Sequence, residues 1–118
     1  MAALRFEGRR FLVTGAARGL GLAIARRIIA EGARVIATDR DPATLEGLDG
    51  CDCRALDVTD LAAVLATRNA VGPIGILFNV AGVVHNGTIL DCDERVWAFS
   101  CDPNTTSRIR LSPPFLPR

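Results

Sequence analysis

The sequence predicts an α/β fold: a doubly wound parallel sheet of about four strands, followed by an irregular C-terminal tail. Three observations predict it. Short apolar runs alternate with helix-period segments along the chain. The runs are apolar throughout, as strands buried on both faces require. Glycine-containing turns follow the first and fourth runs. Right-handed crossovers between parallel strands then complete the doubly wound arrangement.

Each element follows from its residues. Arg10 to Thr14, RFLVT, is a short apolar run that stops at glycine and reads as the first strand. From Gly19 onward, Leu20, Ala23, Ile24 and Ile28 fall at i, i+3, i+4 and i+8, with Arg26 and Arg27 off that face, so a helix buries them. Glu31-Gly32 ends it, glycine being the favoured residue past a helix C-terminus. Arg34 to Asp39 is the second strand. Asp41 caps and Pro42 opens a short helix towards Leu48. Cys53 to Val58 reads as a third strand. Thr59 is the expected cap of a helix with Leu61, Val64, Leu65 and Arg68 on one side. Gly72-Pro73 breaks the chain, and Ile74 to Gly82 reads as a fourth strand running into a glycine turn. Asp91, with Glu94 three residues on, predicts a further helix carrying Val96, Trp97 and Phe99, whose simplest role is core packing. The tail contains Pro103, Pro113, Pro114 and Pro117. Proline lacks the backbone donor and its ring clashes with the preceding turn, so the tail is expected to be frayed or extended. The domain organisation is a half-domain over residues 1–100 and an irregular, proline-rich tail over 101–118.

Composition narrows the function classes. The chain has 118 residues, 49% apolar, with a formal net charge of +1. That amounts to one small folded domain rather than a disordered segment. No basic face points to nucleic acid, and no apolar run is long enough to span a bilayer. The opening MAALRFEGRR has no apolar core of a secretory leader, so a cytoplasmic protein is expected. All fourteen basic residues besides His85 are Arg; Lys and Tyr are absent. The four cysteines are Cys51, Cys53, Cys92 and Cys101. The one-residue gap between Cys51 and Cys53 is too short for a zinc knuckle, and on a strand both face one way. Reduced thiols and no bound metal are expected. His85, the lone histidine, has no carboxylate or serine partner at hand and reads as a loop residue.

The residues that carry chemistry lie in VTGAARGLGLAIA, Val13 to Ala25. Gly15 allows a tight turn off the first strand. Gly19 and Gly21 allow backbone to approach a ligand and helix to pack on sheet. The helix N-terminus then offers unpaired N–H groups and partial positive charge to a pyrophosphate. Asp39, at the end of the second strand, is at the expected distance to bind a ribose. This is the fingerprint of a Rossmann-type dinucleotide site, which makes residues 1–100 a dinucleotide-binding half-domain. A carboxylate there accepts from the 2′-hydroxyl of NAD and repels a 2′-phosphate. Arg18 and Arg40 favour a phosphate. NAD is the expected cofactor, ahead of NADP.

TGAARGLG, Thr14 to Gly21, resembles the Thr-Gly-x-x-x-Gly-x-Gly motif of the short-chain dehydrogenases/reductases. LDVTD, Leu56 to Asp60, is similar to that family's Asp-Val segment after strand three. NVAG, Asn79 to Gly82, resembles its Asn-Asn-Ala-Gly motif, with Val80 in place of the second Asn. The resemblance covers nearly the whole chain to Ser100. It is strongest to the branch of type 2 3-hydroxybutyrate dehydrogenases and bacterial 2-keto-3-deoxy-L-fuconate dehydrogenases. It implies that Arg18, Gly19 and Leu20 line the pyrophosphate and nicotinamide ribose, with Gly15 and Gly21 among the cofactor-binding residues. It also implies that Asp57 and Val58 meet the adenine, and that Asn79, Val80, Ala81 and Gly82 form the floor beneath adenosine ribose and nicotinamide. An alternative for Asp57 is an ordinary strand-end cap. The implied substrate is a small hydroxy acid or sugar acid, and the implied assembly a homo-oligomer that uses the region of Trp97 and Phe99.

Family chemistry uses a Tyr as general acid/base, a Lys four residues later, a Ser and an Asn. Tyr and Lys are absent from this sequence, and only the Asn has a candidate, Asn104, beside Pro103. The resemblance therefore implies the cofactor-binding half of an oxidoreductase of secondary alcohols and ketones, inactive alone. Two alternatives stay open: a non-catalytic nucleotide-binding or dimerising fragment, and a truncated gene product without activity.

Overall fold

The computed structural model of the chain describes residues 4–45, 48–83 and 86–115. Its sheet contains β1 (Arg10–Val13), β2 (Arg34–Asp39), β3 (Asp52–Ala55) and β4 (Ile76–Phe78), in the order β3-β2-β1-β4. All pairings are parallel; Leu12 sits opposite Ile36 on one side and Leu77 on the other. The helices are α1 (Gly19–Ala30), α2 (Leu61–Val71), α3 (Glu94–Cys101) and α4 (Ser107–Phe115). Short 3-10 turns occupy Pro42–Leu45 and Ile89–Asp91, and a π-turn spans Asp102–Thr106.

Strand side chains alternate between two cores, as the period of two dictates. Phe11, Val13, Val35 and Ala37 join Ala25 and Ile28 of α1 and the loop residues Leu45 and Leu48 on one face. Leu12 and Ile36 join Val64 and Val71 of α2 and Leu111 and Phe115 of α4 on the other. The α/β fold with a parallel four-stranded sheet is thus the one expected, helices covering both faces.

Several boundaries differ from the sequence expectation. The α1 helix ends as predicted, with Gly32 in the left-handed region at φ 89°. The cap of α2 is Asp60 rather than Thr59: its carboxylate accepts from the Ala63 amide at 3.2 Å, while Thr59 is drawn back to Asp57. Arg10 donates to the carbonyls of Val71 and Pro73, both at 2.6 Å, and fastens the end of α2 to β1. The cap of α3 is Asp93, accepting from Val96 at 2.8 Å, whereas Asp91 forms a capping box with Thr88 one turn earlier.

Over its described residues, 101–115, the tail expected to be frayed or extended is helical, and irregular. Pro103 lies in the π-turn that continues α3 into α4 without a break, so its missing N–H falls inside a helical run. Pro113 and Pro114 lie inside α4, so the carbonyls of Ile109 and Arg110 lose their i+4 donors. Tertiary packing outweighs that cost. Leu111 is 1% and Phe115 7% exposed in the α2-side core, and Arg68 of α2 donates to the Pro114 carbonyl at 2.9 Å.

Trp97 and Phe99 are not core residues. They are 66% and 53% exposed.

Candidate functional site

The C-terminal ends of the strands open into a cleft of about 880 Å³. Its first wall is the turn from β1 into α1. Gly15 has φ 64°, and a Cβ there would stand 2.9 Å from the Ala81 backbone. A Cβ on Gly21 would stand 2.0 Å from the Gly15 carbonyl oxygen. These two glycines let three backbone segments meet. Gly19 differs: it has φ 58° and open space where a Cβ would go. Arg18, the residue before α1, supplies no side-chain cap. The first amides of α1 thus have no side-chain acceptor, and the helix dipole is directed at the cleft.

Thr14 ties this turn to the segment after β4. Its hydroxyl accepts from the amides of Val80 and Ala81 at 3.0 and 3.1 Å and lies 3.3 Å from the Phe78 carbonyl. Thr14 is 1% exposed, so these bonds satisfy a group that water cannot reach.

Asp39 closes β2 at the cleft's edge. One carboxylate oxygen accepts from the Ala17 amide at 3.1 Å and the other from the Asp41 amide at 3.4 Å. The side chain is therefore held in one orientation, with acceptor capacity to spare on both oxygens. Asp57 is arranged differently. A single oxygen takes both the amide and the hydroxyl of Thr59, at 2.9 and 2.6 Å. Those two bonds hold its carboxyl below the usual carboxylate range, with help from the Arg40 and Arg110 guanidiniums. The strand-end cap weighed for Asp57 is real, and its second oxygen is left over for another donor.

The cleft gathers most of the residues the sequence singled out: Gly15, Arg18, Leu20, Gly21, Asp39, Asp57, Val58, Val80, Ala81 and Gly82. Gly19 lies between two of them. Asn79 is placed elsewhere: its side chain donates to Ser112 of α4 at 3.4 Å, and its carbonyl accepts from Arg108. Asn104 does not line the cleft either. Its amide nitrogen donates to the carbonyls of Val83 and Ser100 at 2.7 and 2.8 Å, and its oxygen accepts from Val83 at 3.1 Å. A Cβ on Gly82 would meet that oxygen at 2.3 Å, so Gly82 makes room for Asn104. Asn104 sits in the π-turn, which interrupts the α-helical run beside Pro103. His85 lies outside the described residues.

The second wall was not recognised in the sequence. Arg95, Ala98, Phe99 and Asp102 face the cleft from α3 and the π-turn. Their spacing of i, i+3, i+4 and i+7 is one face of a helix, a signal that was present. Asp102 is balanced by Arg110 at 2.8 Å, which also donates to the Val58 carbonyl. The cleft is thus an apolar slot with a glycine turn and an open helix N-terminus at one end and fixed carboxylates along its edge. That donor set fits a dinucleotide: amides for phosphate, a carboxylate for ribose hydroxyls, and apolar walls for rings.

The family model for short chain dehydrogenase matches residues 9–118. The chain belongs to the short-chain dehydrogenase family. It is 44% identical over 117 residues to dehydrogenase/reductase SDR family member 6 of Rattus norvegicus, covering 97% of this chain and 48% of the relative. It is 47% identical over 104 residues to 2-keto-3-deoxy-L-fuconate dehydrogenase of Xanthomonas campestris, covering 85% of this chain and 35% of the relative. A crystal structure of a short-chain dehydrogenase from Streptomyces avermitilis superimposes with a TM-score of 0.87 at 31% identity, over 92% of this chain and 43% of that one. The chain spans about half the length of the curated relatives it matches. The family's cofactor is a nicotinamide dinucleotide, NAD or NADP. Among the described residues, no helix is long and apolar enough to cross a membrane.

Proposed function

We propose that this chain is the NAD-binding half of an oxidoreductase of secondary alcohols and ketones, acting on a small 3-hydroxy acid or sugar acid. The observation that carries the reading is Asp39. Its carboxylate is fixed by two backbone amides at the rim of the cleft. A fixed carboxylate accepts from ribose hydroxyls and repels a 2′-phosphate, which supports NAD over NADP. Arg18 and Arg40 line the same cleft; they attract phosphate and reduce that preference without removing it.

Placement supports the following roles. Gly15, Arg18, Gly19, Leu20 and Gly21 take the pyrophosphate and nicotinamide ribose, the α1 amides donating. Val58 and the spare oxygen of Asp57 meet the adenine. Val80, Ala81 and Gly82 form the floor, and Asn79 holds that floor from behind through Ser112 and Arg108. Asn104 is a positioning residue that sets the loop after Gly82. When bound, the dinucleotide supplies the hydride acceptor. Residues 1–100 form the proposed dinucleotide unit, and 101–118 brace it. The free thiols suit the reducing cytoplasm, and a homo-oligomer is the proposed assembly.

Hydride transfer to or from a carbonyl carbon also needs a group that handles the oxygen's proton. These 118 residues contain neither Tyr nor Lys. That favours a second reading for the chain by itself, a nucleotide-binding module without turnover. Calorimetric titration of the folded chain tests both readings. NADH is expected to bind and NADPH to bind about tenfold more weakly, a difference of ~1.4 kcal/mol. Asp39→Ala is expected to erase that difference. No heat with either cofactor would reject the proposal, and turnover of 3-hydroxybutyrate would reject the module reading.

A further inference from the structure

Cys51 and Cys53 play no part in the cleft. They sit where the chain enters β3, an outer strand of the sheet. Two residues apart on an extended chain, they share a side, and their sulfurs are 3.3 Å apart. Cys53 is exposed and Cys51 partly covered. Cys51 directs its sulfur to the Leu48 carbonyl at 3.6 Å, and Cys53 to those of Leu45 and Leu48 at 3.7 and 4.0 Å. A disulfide needs its sulfurs about 2 Å apart. Side-chain torsion and a small movement at the strand entry close the remaining gap.

We infer that Cys51 and Cys53 form a dithiol that hydroperoxides oxidise to an intrachain disulfide. The pair offers two ligands where a structural metal needs four, and among the described residues no group of three or more metal-ligating side chains gathers. Two adjacent thiols have one further chemistry open to them, loss of two electrons and two protons. The Cys53 thiolate, the accessible one, attacks a peroxide oxygen. The O–O bond breaks, an alcohol or water leaves, and Cys53 becomes a sulfenic acid. The Cys51 sulfur then attacks the Cys53 sulfur. The S–O bond breaks and water departs with the Cys51 proton. One hydroperoxide is reduced and two thiols are oxidised, so the electrons balance.

Burial pushes the Cys51 thiol up to about 12, and its neighbour Cys53 adds to that rise ahead of Asp52 and Asp49. Cys51 therefore keeps its proton until Cys53 has reacted. Closure also withdraws both S–H donors from the Leu45 and Leu48 carbonyls, in the segment that joins β2 to β3.

The folded chain is treated with hydrogen peroxide at neutral pH, remaining thiols are blocked with iodoacetamide, and tryptic peptides are weighed. Residues 41–54 form one such peptide, bounded by Arg40 and Arg54. Blockable cysteines are expected to fall from the four free ones to two, with peptide 41–54 unblocked and lighter by about 2 Da, the mass of two hydrogens. Dithiothreitol restores all four. In Cys51→Ser, Cys53 is expected to stop at a sulfenic acid that dimedone traps. Cys92 and Cys101 serve as internal references, so the wild-type map decides even if that variant folds poorly. Overturning results are Cys51 and Cys53 blocked as fully as the references, or Cys53 carried to sulfinic acid while Cys51 stays blockable.

Discussion

The tightest points in the molecule are single atoms. The Gly21 Cα hydrogen faces the Gly15 carbonyl where a methyl would sit 2.0 Å away. Backbone on both sides cannot yield cheaply, so Gly21→Ala is expected to cost about 3 kcal/mol or more by overpacking. Urea melts of the variant measure this directly. Gly19→Ala meets no such neighbour, yet its positive φ still carries a strain of about 1 kcal/mol; the two variants separate a packing glycine from a conformational one. Asp57 argues a pH dependence. The Thr59 bonds and nearby guanidiniums lower its folded pKa, and the Arg5 and Arg27 guanidiniums do the same for Glu31. Stability from a lowered carboxyl is complete above its unfolded pKa of about 4 and is lost as pH falls through the folded value. Melts should therefore stay level through neutral pH and fall in acid. Asp57→Asn should start less stable and lose less. These residues differed in how visible they were in the sequence. Gly15, Gly21 and Asp39 were legible because their motif fixes geometry within one βαβ unit. The Thr14 bridge to Val80 and Ala81 was not, since it joins segments that only the sheet brings together.

At the scale of elements, α1 and the presence of four strands were legible, but the ends of β3 and β4 and the form of the tail were not. Apolar runs and helical periodicity are local properties, and local rules place β1, β2 and α1 within about a residue or two. Caps were less legible: Thr59, Asp60, Asp91 and Asp93 are all competent, and the choice between neighbours depends on which side chain is drawn elsewhere. The tail was misread because Pro113 and Pro114 weigh heavily in any local rule, whereas α4 is held from outside by Leu111 and Phe115. That account makes Leu111→Ala the sensitive test. It should cost about 3 kcal/mol as a large-to-small core change and should melt α4 first, read as early amide exchange at 107–115 against slow exchange in β1. Equal protection of both segments in the variant would show α4 standing on its own bonds.

For the molecule as a whole, the proposed function separates gripping from chemistry. Two cores back one sheet, and the strand ends, the α1 N-terminus and one face of α3 enclose a single cleft. Nothing in it handles a proton with a phenol or an ammonium, so the expected outcome of mixing chain, NAD and a secondary alcohol is binding without reduced cofactor. The near-ultraviolet absorbance of NADH checks that. A consequence follows from the exposure of α3. Trp97 is the sole tryptophan, it stands in water, and it shares a helix with cleft residues Ala98 and Phe99. Its indole emission overlaps the absorption of reduced nicotinamide, so under the proposed function NADH added to the chain is expected to quench Trp97 emission. If the proposal holds, the molecule carries its own fluorescent gauge of occupancy, with no dye attached.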